Sequence, residues 1–301
     1  RQGICQPIQL LANDRYPKWD ETLIAFQIVP KLNTTGRLAD IANANNTVRY
    51  LLSTNLEQLQ HMAKQIRELN DRRKTMSDDM VKVARTLVRP EYRFQLLFHD
   101  SFHEGMAGLV AGKLSEELQL PVMVAAQREQ MFKGSIRSLD LLDLTTFFDA
   151  CRPSLSAYGG HKAAAGIGFP YENKQIVQDY VNTRMEGIHF QQEKSYDVIP
   201  IRVQEATLAE VESLSVLGPF GCGFEEPLFY LEEASVQGCR LLGNREHAKW
   251  ILSDSLEAMY FRCGNAYERL HEKNNVNFIG NLRINSFMGR KKVNIFVTEA
   301  Y

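Results

Sequence analysis

Apolar positions along this chain follow three successive rhythms. The first is helical. Residues 1–48 mix short helical stretches with polar loops, and AFQIVPKLNTTGRLADIANA runs through Pro30 into Asn33-Thr34-Thr35-Gly36. A Pro followed by an Asn/Thr/Gly cluster predicts a turn. From about Thr47 to Val88, Leu56, Leu59, Met62, Ile66, Leu69, Met76, Met80, Val83 and Leu87 recur at three- or four-residue steps, with one seven-residue gap and no Gly or Pro. That spacing gathers them on one face and predicts a long connecting helix over residues 49–89.

Beyond Pro90 the rhythm alternates. FQLLFHD reads as a strand, MAGLVAGKLSEEL as a helix, PVMVAA as a strand, and FKGSIRS as a short strand and turn. LDLLDLTTFFDACRPSL reads as a helix, YGGHKAAAGIGF as a glycine-rich turn leading to a strand or a small-residue helix, and NKQIVQDYVNTRMEGIHF as a closing helix. Strands alternating with helices predict an α/β domain over residues 90–192. From residue 193 to 301 short strands dominate: SYDVIPIRV, QGCRLLG, AKWILS, LEAMYFRC, NFIGNLRIN and KVNIFVTEA. Phe278, Gly280, Leu282 and Ile284 share one face of such a strand, and Asn281, Arg283 and Asn285 the other. Short, evenly spaced strands predict a small β-barrel.

Composition narrows the function classes. The chain has 301 residues, 44% apolar and 24% charged, with 35 basic and 36 acidic side chains for a net charge of −1. A disordered chain is excluded, and no apolar run approaches the roughly 18 residues of a membrane span. The five cysteines are scattered without a CxxC pair, which speaks against a disulfide scaffold and for a reducing cytoplasm. Neutral overall charge does not advertise a nucleic acid, so such a partner needs local patches. One lies between Lys64 and Arg89, where Lys64, Arg67, Arg72, Arg73, Lys74, Lys82, Arg85 and Arg89 outnumber Glu68, Asp71, Asp78 and Asp79. A charge run of this kind ordinarily marks a solvated helix face.

Candidate chemistry sits in short motifs. In Gly134-Ser135-Ile136-Arg137-Ser138, strand alternation puts Ser135 and Arg137 on one face, a hydroxyl and a guanidinium suited to phosphate or carboxylate. In Gly159-Gly160-His161, the glycines permit close backbone approach and the His can touch a phosphate or move a proton. His103 opens a helix after a strand, where free N–H groups favour an anion. His99 and His103 lack the HExxH order of a zinc site. Asn33, Gly36 and Arg37 form a turn that can hold an anion. Pro219–Pro227 is a rigid turn around Cys222, read as a packed thiol. Asn285–Lys292 reads as a hairpin tip, where Arg290, Lys291 and Lys292 beside Phe287 fit single-strand binding. Each motif also has a plain structural reading as a turn, a strand end or a solvated hairpin.

The order of the motifs is more specific than any one of them. VPKLNTTGRL, a long helix, FHEGMAGLVAGKL, GSIRS, YGGHKAAAG, PFGCGFEEPLF and NLRINSFMGRKKVNIFV resemble, in this succession, the C-terminal two thirds of the RecJ-like single-strand-specific exonucleases of the DHH phosphoesterase superfamily. The resemblance covers essentially the whole chain. It departs at Pro30-Lys31-Leu32-Asn33, Phe102-His103 and Gly223-Phe224-Glu225-Glu226-Pro227, where the family usually has Pro-Arg-Ile-Asn, Trp-His and Gly-Asn-Pro, as a divergent branch would.

The resemblance implies an α/β plus β fold. The tail of a DHH catalytic domain (1–48) is joined by the long helix (49–89) to a DHH-associated α/β domain (90–192), and an OB-like barrel (193–301) follows. It implies 5′→3′ hydrolysis of single-stranded DNA with Mn²⁺ or Mg²⁺. His161 would be catalytic, at the scissile phosphate. Arg37, Ser135 and Arg137, helped by Asn33, would grip the terminal 5′ phosphate, with His103, Ser138, Gly159 and Gly160 in the same substrate-binding set. Arg283, Arg290, Lys291 and Lys292 would hold the strand further along. No Asp-His-His triplet occurs and the chain starts at Arg1 without Met, so the expectation is a C-terminal fragment with no metal ligand of its own and no activity alone. A single-strand-binding protein or a helicase is the expected partner, with no membrane. A short-oligonucleotide or cyclic-dinucleotide phosphodiesterase, or a non-catalytic single-strand-binding module, are the alternatives.

Overall fold

A computed structural model describes residues 5–12, 19–190, 195–221, 223–243, 245–287 and 290–301. The chain divides into two compact units, residues 1–192 and 193–301. No helix among the described residues is long and apolar enough to cross a membrane.

The first unit is organised by one helix, Leu56–Thr86. Its N-terminal half buries Leu59, Ala63 and Ile66 against Leu11, Leu23, Ile28 and Tyr50 of short flanking helices. Its C-terminal half buries Met80, Val81 and Ala84 against Phe102, Met106, Ala107 and Val110. The predicted helix over 49–89 is broken near its start: Asn45–Leu52 is a separate helix, and Asn55 accepts a hydrogen bond from the Gln58 N–H to cap the long one. The polar run Ser53-Thr54-Asn55 favours such a cap over helix continuation.

Five strands follow: β1 Gln95–His99, β2 Val122–Arg128, β3 Met131–Arg137, β4 Ala157–His161 and β5 Ala164–Pro170, in the order β1-β2-β3-β5-β4. The pair β1/β2 is parallel and the others are antiparallel. Helix Glu104–Leu118 packs on one face. The other face buries Phe132, Ile136, Ala165, Ile167 and Phe169 with Val177 and Val181 of helix Lys174–Met185.

Two local expectations are corrected. The predicted helix around residues 139–155 is one α-turn, Leu144–Phe147, whose start Asp143 caps by accepting from the Thr145 N–H, then a 3-10 turn, Asp149–Ser154, which contains Pro153, a residue unable to continue an α-helix. Gly159 and Gly160 of YGGHKAAAG lie inside β4 and Gly166 inside β5, and the turn is made by Lys162 and Ala163. Gly160 sits there because a Cβ would meet the Ala164 carbonyl oxygen at 2.2 Å.

The second unit is a seven-stranded sheet with β6 Val198–Pro200, β7 Leu228–Ser235, β8 Gly238–Leu242, β9 His247–Ile251, β10 Leu256–Tyr260, β11 Asn275–Phe287 and β12 Arg290–Ala300. The order is β6-β7-β11-β12-β10-β9-β8. Trp250, Phe278, Leu282, Val293 and Ile295 form its core, so the alternation read in NFIGNLRIN is the alternation observed. Cys222 lies outside the described residues. Cys5, Cys151, Cys239 and Cys263 are free thiols.

Candidate phosphate-binding site

Strand register builds one face of the site. Across β3, β5 and β4, Arg137 aligns with Ala164 and His161, Ser135 with Gly166 and Gly159, and Lys133 with Gly168 and Ala157. Ile136, Ala165 and Ile167 point into the core, so these three rows point to the opposite side. His161, Gly159 and Gly160 are exposed. Arg137 and His161 stand two strand spacings apart, about 10 Å.

Glycines of helix Glu104–Leu118 let the chain close around this face. A Cβ on Gly108 would lie 2.9 Å from the Arg137 Nη2 and 3.4 Å from the Ser135 Oγ, so both groups rest over that glycine. A Cβ on Gly105 would lie 1.8 Å from the Arg37 carbonyl oxygen, so the turn Thr34–Arg37 is seated directly on the helix start. A third guanidinium joins from the long helix. Burial, and then the positive charge of Arg37, hold the Arg73 and Arg137 guanidinium groups below the usual arginine pKa. Arg73 Nε is buried with no hydrogen-bond partner. Asp78, which partly offsets this for Arg73, is held by Lys113 at 3.4 Å. Three partly buried cations from three segments repel one another, and an anion relieves that repulsion with charge-assisted hydrogen bonds.

Sequence reading missed Arg73, although its signal was present. The one gap in the apolar stripe falls between Leu69 and Met76, and Arg73 fills it in phase. The arginine therefore points where the apolar face points, rather than to solvent.

Beside the arginines lies an open cleft of about 610 Å³, lined by Glu104, Lys133, Tyr158, Gly159, Gly166 and Gly168 among others. A Cβ on Gly159 would meet nothing within 4 Å, and one on Gly166 only the Gly159 carbonyl oxygen at 3.8 Å. Packing does not require glycine at either position. Glycine in a strand interior costs about 0.5–1 kcal/mol relative to alanine, and it commonly marks a place where a ligand approaches the backbone.

The remaining predicted residues of this unit are placed as follows. His103 caps the helix: its Nδ1 accepts from the Gly105 N–H at 3.1 Å and its Nε2 meets Asp40 Oδ1 at 3.0 Å. Burial works to raise the Asp40 pKa, but the His103 hydrogen bond, a backbone hydrogen bond and the charges of His103 and Arg128 together outweigh it, leaving the carboxyl below its usual value. His103 thus positions the Arg37 segment and has no ring nitrogen to spare. Asn33 is exposed at the start of the Arg37 turn. Ser138 is buried, donating its Oγ hydrogen to the Leu142 carbonyl at 3.1 Å, and does not join the face.

Residues 90–187 match the DHHA1 domain, and residues 196–299 the RecJ OB domain. This is a RecJ-type DHHA1–OB chain. It is 28% identical over its whole length to the single-stranded-DNA-specific exonuclease RecJ of Bacillus subtilis, and spans 39% of that relative. It is 30% identical, over 76% of the chain, to the protein of that name in Thermus thermophilus, of which it spans 33%. The crystal structure of RecJ in complex with Mn²⁺ from Thermus thermophilus matches with a TM-score of 0.81 at 25% identity, covering 98% of this chain and 44% of that one.

In the RecJ OB domain the predicted strand-holding cations are engaged. Arg283 is bound through Nη2 to Glu226 Oε2 at 2.6 Å and lies over the Phe296 ring at 5.5 Å. Lys291 pairs with Glu212 at 2.8 Å, and Lys292 with Glu257 at 3.0 Å. The Arg290 side chain lies outside the described residues. Phe296 also stacks on the half-exposed Phe261 at 5.8 Å. Among the described residues of this RecJ-type chain, no group of three or more His, Cys, Asp or Glu side chains is placed to hold a metal ion. The described residues therefore do not fit the divalent-metal centre that the RecJ structures with Mg²⁺ or Mn²⁺ imply.

Proposed function

We propose that this chain is the strand-gripping part of a single-strand-specific 5′→3′ exodeoxyribonuclease. One observation carries the reading: Arg37, Arg73, Arg137 and Ser135 converge, with no ion-paired carboxylate among the described residues, next to a cleft floored by glycines that the fold does not need. The 5′-terminal phosphate sits among the guanidinium groups and accepts from the Ser135 hydroxyl. The chain beyond it lies across Gly166 and Gly159, where no side chain holds it off. His161, on the same face, meets the scissile phosphate or its leaving oxygen.

Divalent ions such as Mn²⁺ or Mg²⁺ supply the activated water in phosphodiester hydrolysis of this kind. The residues of this chain bind and orient the strand end. In the RecJ OB domain, Arg283, Lys291 and Lys292 exchange their carboxylates for phosphates as the strand arrives, with Arg290 beside them. A single-strand-binding protein or a helicase supplies the strand, and the free thiols accord with the cytoplasm.

Fluorescence anisotropy of the full chain with a labelled, 5′-phosphorylated oligodeoxythymidylate tests this. The expected result is binding that weakens steeply with salt and is lost when the strand is made duplex. Binding that ignores salt or favours duplex overturns the reading. So does robust hydrolysis of that strand by this chain alone with Mn²⁺, since its described residues hold no metal cluster.

A further inference from the structure

The outer face of the RecJ OB sheet holds an amide that the fold leaves idle. Val293 and Ile295 of β12 point into the core, so Lys292, Asn294 and Phe296 point to the opposite face. Register places Asn294 between Arg283 of β11 and Glu257 of β10, and Phe296 between Asn281 and Met259. Asn294 is 1% exposed, and neither its Nδ2 nor its Oδ1 has a hydrogen-bond partner among the described residues. The charges around it are bound elsewhere. Arg283 binds Glu226, while Lys249 and Lys292 both bind Glu257, at 2.5 and 3.0 Å. A buried amide without partners opposes folding, and such an orphan calls for a physical account of what uses it.

Its surroundings name the user. Phe296 and Phe261 lie nearly parallel, 5.8 Å and 16° apart, and both are partly exposed. Aromatic rings beside Arg283, Lys249 and Lys292 are parts suited to a single strand, through base stacking and phosphate contact. A stacked base leaves its edge free. An Asn amide reads an edge by giving its N–H to a base acceptor and taking an N–H from a base donor. Only adenine presents a donor beside an acceptor on its N7 edge, N6–H2 next to N7, and it repeats the pattern with N1 on its pairing edge.

We propose that Asn294 and Phe296 form a base-reading position on the RecJ OB sheet, where the Asn294 amide pairs with the edge of an adenine stacked on Phe296. This rests on the single-strand reading above and names the base that the strand prefers there. Arg283 is the gate. It stands in register with Asn294 and its guanidinium lies over the Phe296 ring at 5.5 Å. As it turns from Glu226 to an arriving phosphate, it uncovers the ring and the amide together.

The test reads anisotropy of the full chain with a labelled, 5′-phosphorylated oligodeoxythymidylate. One thymine is replaced, position by position, by adenine or by purine lacking the 6-amino group. The wild-type chain is expected to bind the adenine strand about tenfold more tightly at one position, in line with one bidentate base contact. Purine at that position keeps the stack but not the donor, and is expected to lose most of the gain. Asn294→Leu is expected to lose the same gain and to melt no lower than wild type, because it removes a buried amide that has no partner. A wild-type chain that binds adenine, purine and thymine alike at every position overturns the base reading and leaves the single-strand reading standing. An Asn294→Leu chain that keeps the adenine gain overturns the role of Asn294. One that melts well below wild type shows that the amide serves the fold, and overturns the proposal as well. A wild-type chain that binds none of these strands overturns the single-strand reading itself.

Discussion

Thr34 and Asn70 meet in the interior of the first unit, where the single Thr34 hydroxyl hydrogen is shared between the Pro30 carbonyl at 2.7 Å and Asn70 Oδ1 at 3.3 Å. The contact joins the short Arg37 turn to the long helix and so fixes the spacing between Arg37 and Arg73. Asn70→Ala is expected to cost about 1–3 kcal/mol, the range for losing a buried polar partner. It should also weaken single-strand binding by loosening the arginine pair. Chemical denaturation and anisotropy on the same variant check both effects. Lost stability with unchanged binding would uncouple the contact from the site.

The glycines of the β4–β5 hairpin should separate into two kinds. Gly159→Ala and Gly166→Ala are expected to leave stability unchanged or raise it by about 0.4–1 kcal/mol, because neither Cβ meets an obstacle and the unfolded chain loses freedom. Both should weaken single-strand binding by shrinking the floor. Gly160→Ala, whose Cβ would come within 2.5 Å of the Ala165 Cα, is expected to destabilise by about 1–3 kcal/mol. Melting curves beside binding curves distinguish the two classes. Floor variants that bind normally would return these glycines to a purely structural role.

Much of this arrangement was legible in the sequence. Period-two alternation placed Ser135 and Arg137 on one face because β3 and β5 each bury only one face in the aromatic core. The register that brings His161 level with Arg137 was not legible, since it depends on a hairpin turning at Lys162 and Ala163, and the glycines read as the turn instead. Arg73 was hidden for a different reason. A charged residue inside an apolar stripe looks like a solvated face until the partner packed against it is known. The pairing of Arg283, Lys291 and Lys292 was equally out of reach, because Glu226, Glu212 and Glu257 are 57, 79 and 35 residues away in sequence.

Glu257 gives the second unit an acid-sensitive tie. Burial works to raise its pKa, but the hydrogen bonds and charges of Lys249 and Lys292 together outweigh burial and hold the carboxyl below the usual glutamate range. The unfolded chain therefore takes up a proton first as pH falls. The stability this ionised group contributes is complete above the unfolded pKa, about 4.3, and is lost as pH falls through the lower folded value. Glu257→Gln is expected to lower stability at neutral pH by about 1–3 kcal/mol and to flatten the loss below about pH 4. Thermal melts across that range provide the check, and a variant with the wild-type acid profile would remove Glu257 as the cause.

Arg283 should hold a strand better once its carboxylate is gone. Glu226 binds it through Nε and Nη2, at 3.1 and 2.6 Å, and the guanidinium already lies over the Phe296 ring. Glu226→Gln is expected to strengthen single-strand binding a few-fold and to cost stability about 0.2–1 kcal/mol, as exposed pairs do. Weaker binding in this variant would mean that Arg283 needs its carboxylate to be positioned.

The central claim is that Arg137 and its neighbours grip a phosphate of a single strand. Its most direct test is the affinity of the full chain for a 5′-phosphorylated single strand as a function of salt, wild type beside Arg137→Gln. The predicted result is that the variant binds about tenfold more weakly and that its logarithmic salt slope is shallower by about one, the signature of one lost phosphate contact. An Arg137→Gln chain that matches wild type at every salt concentration would contradict the account.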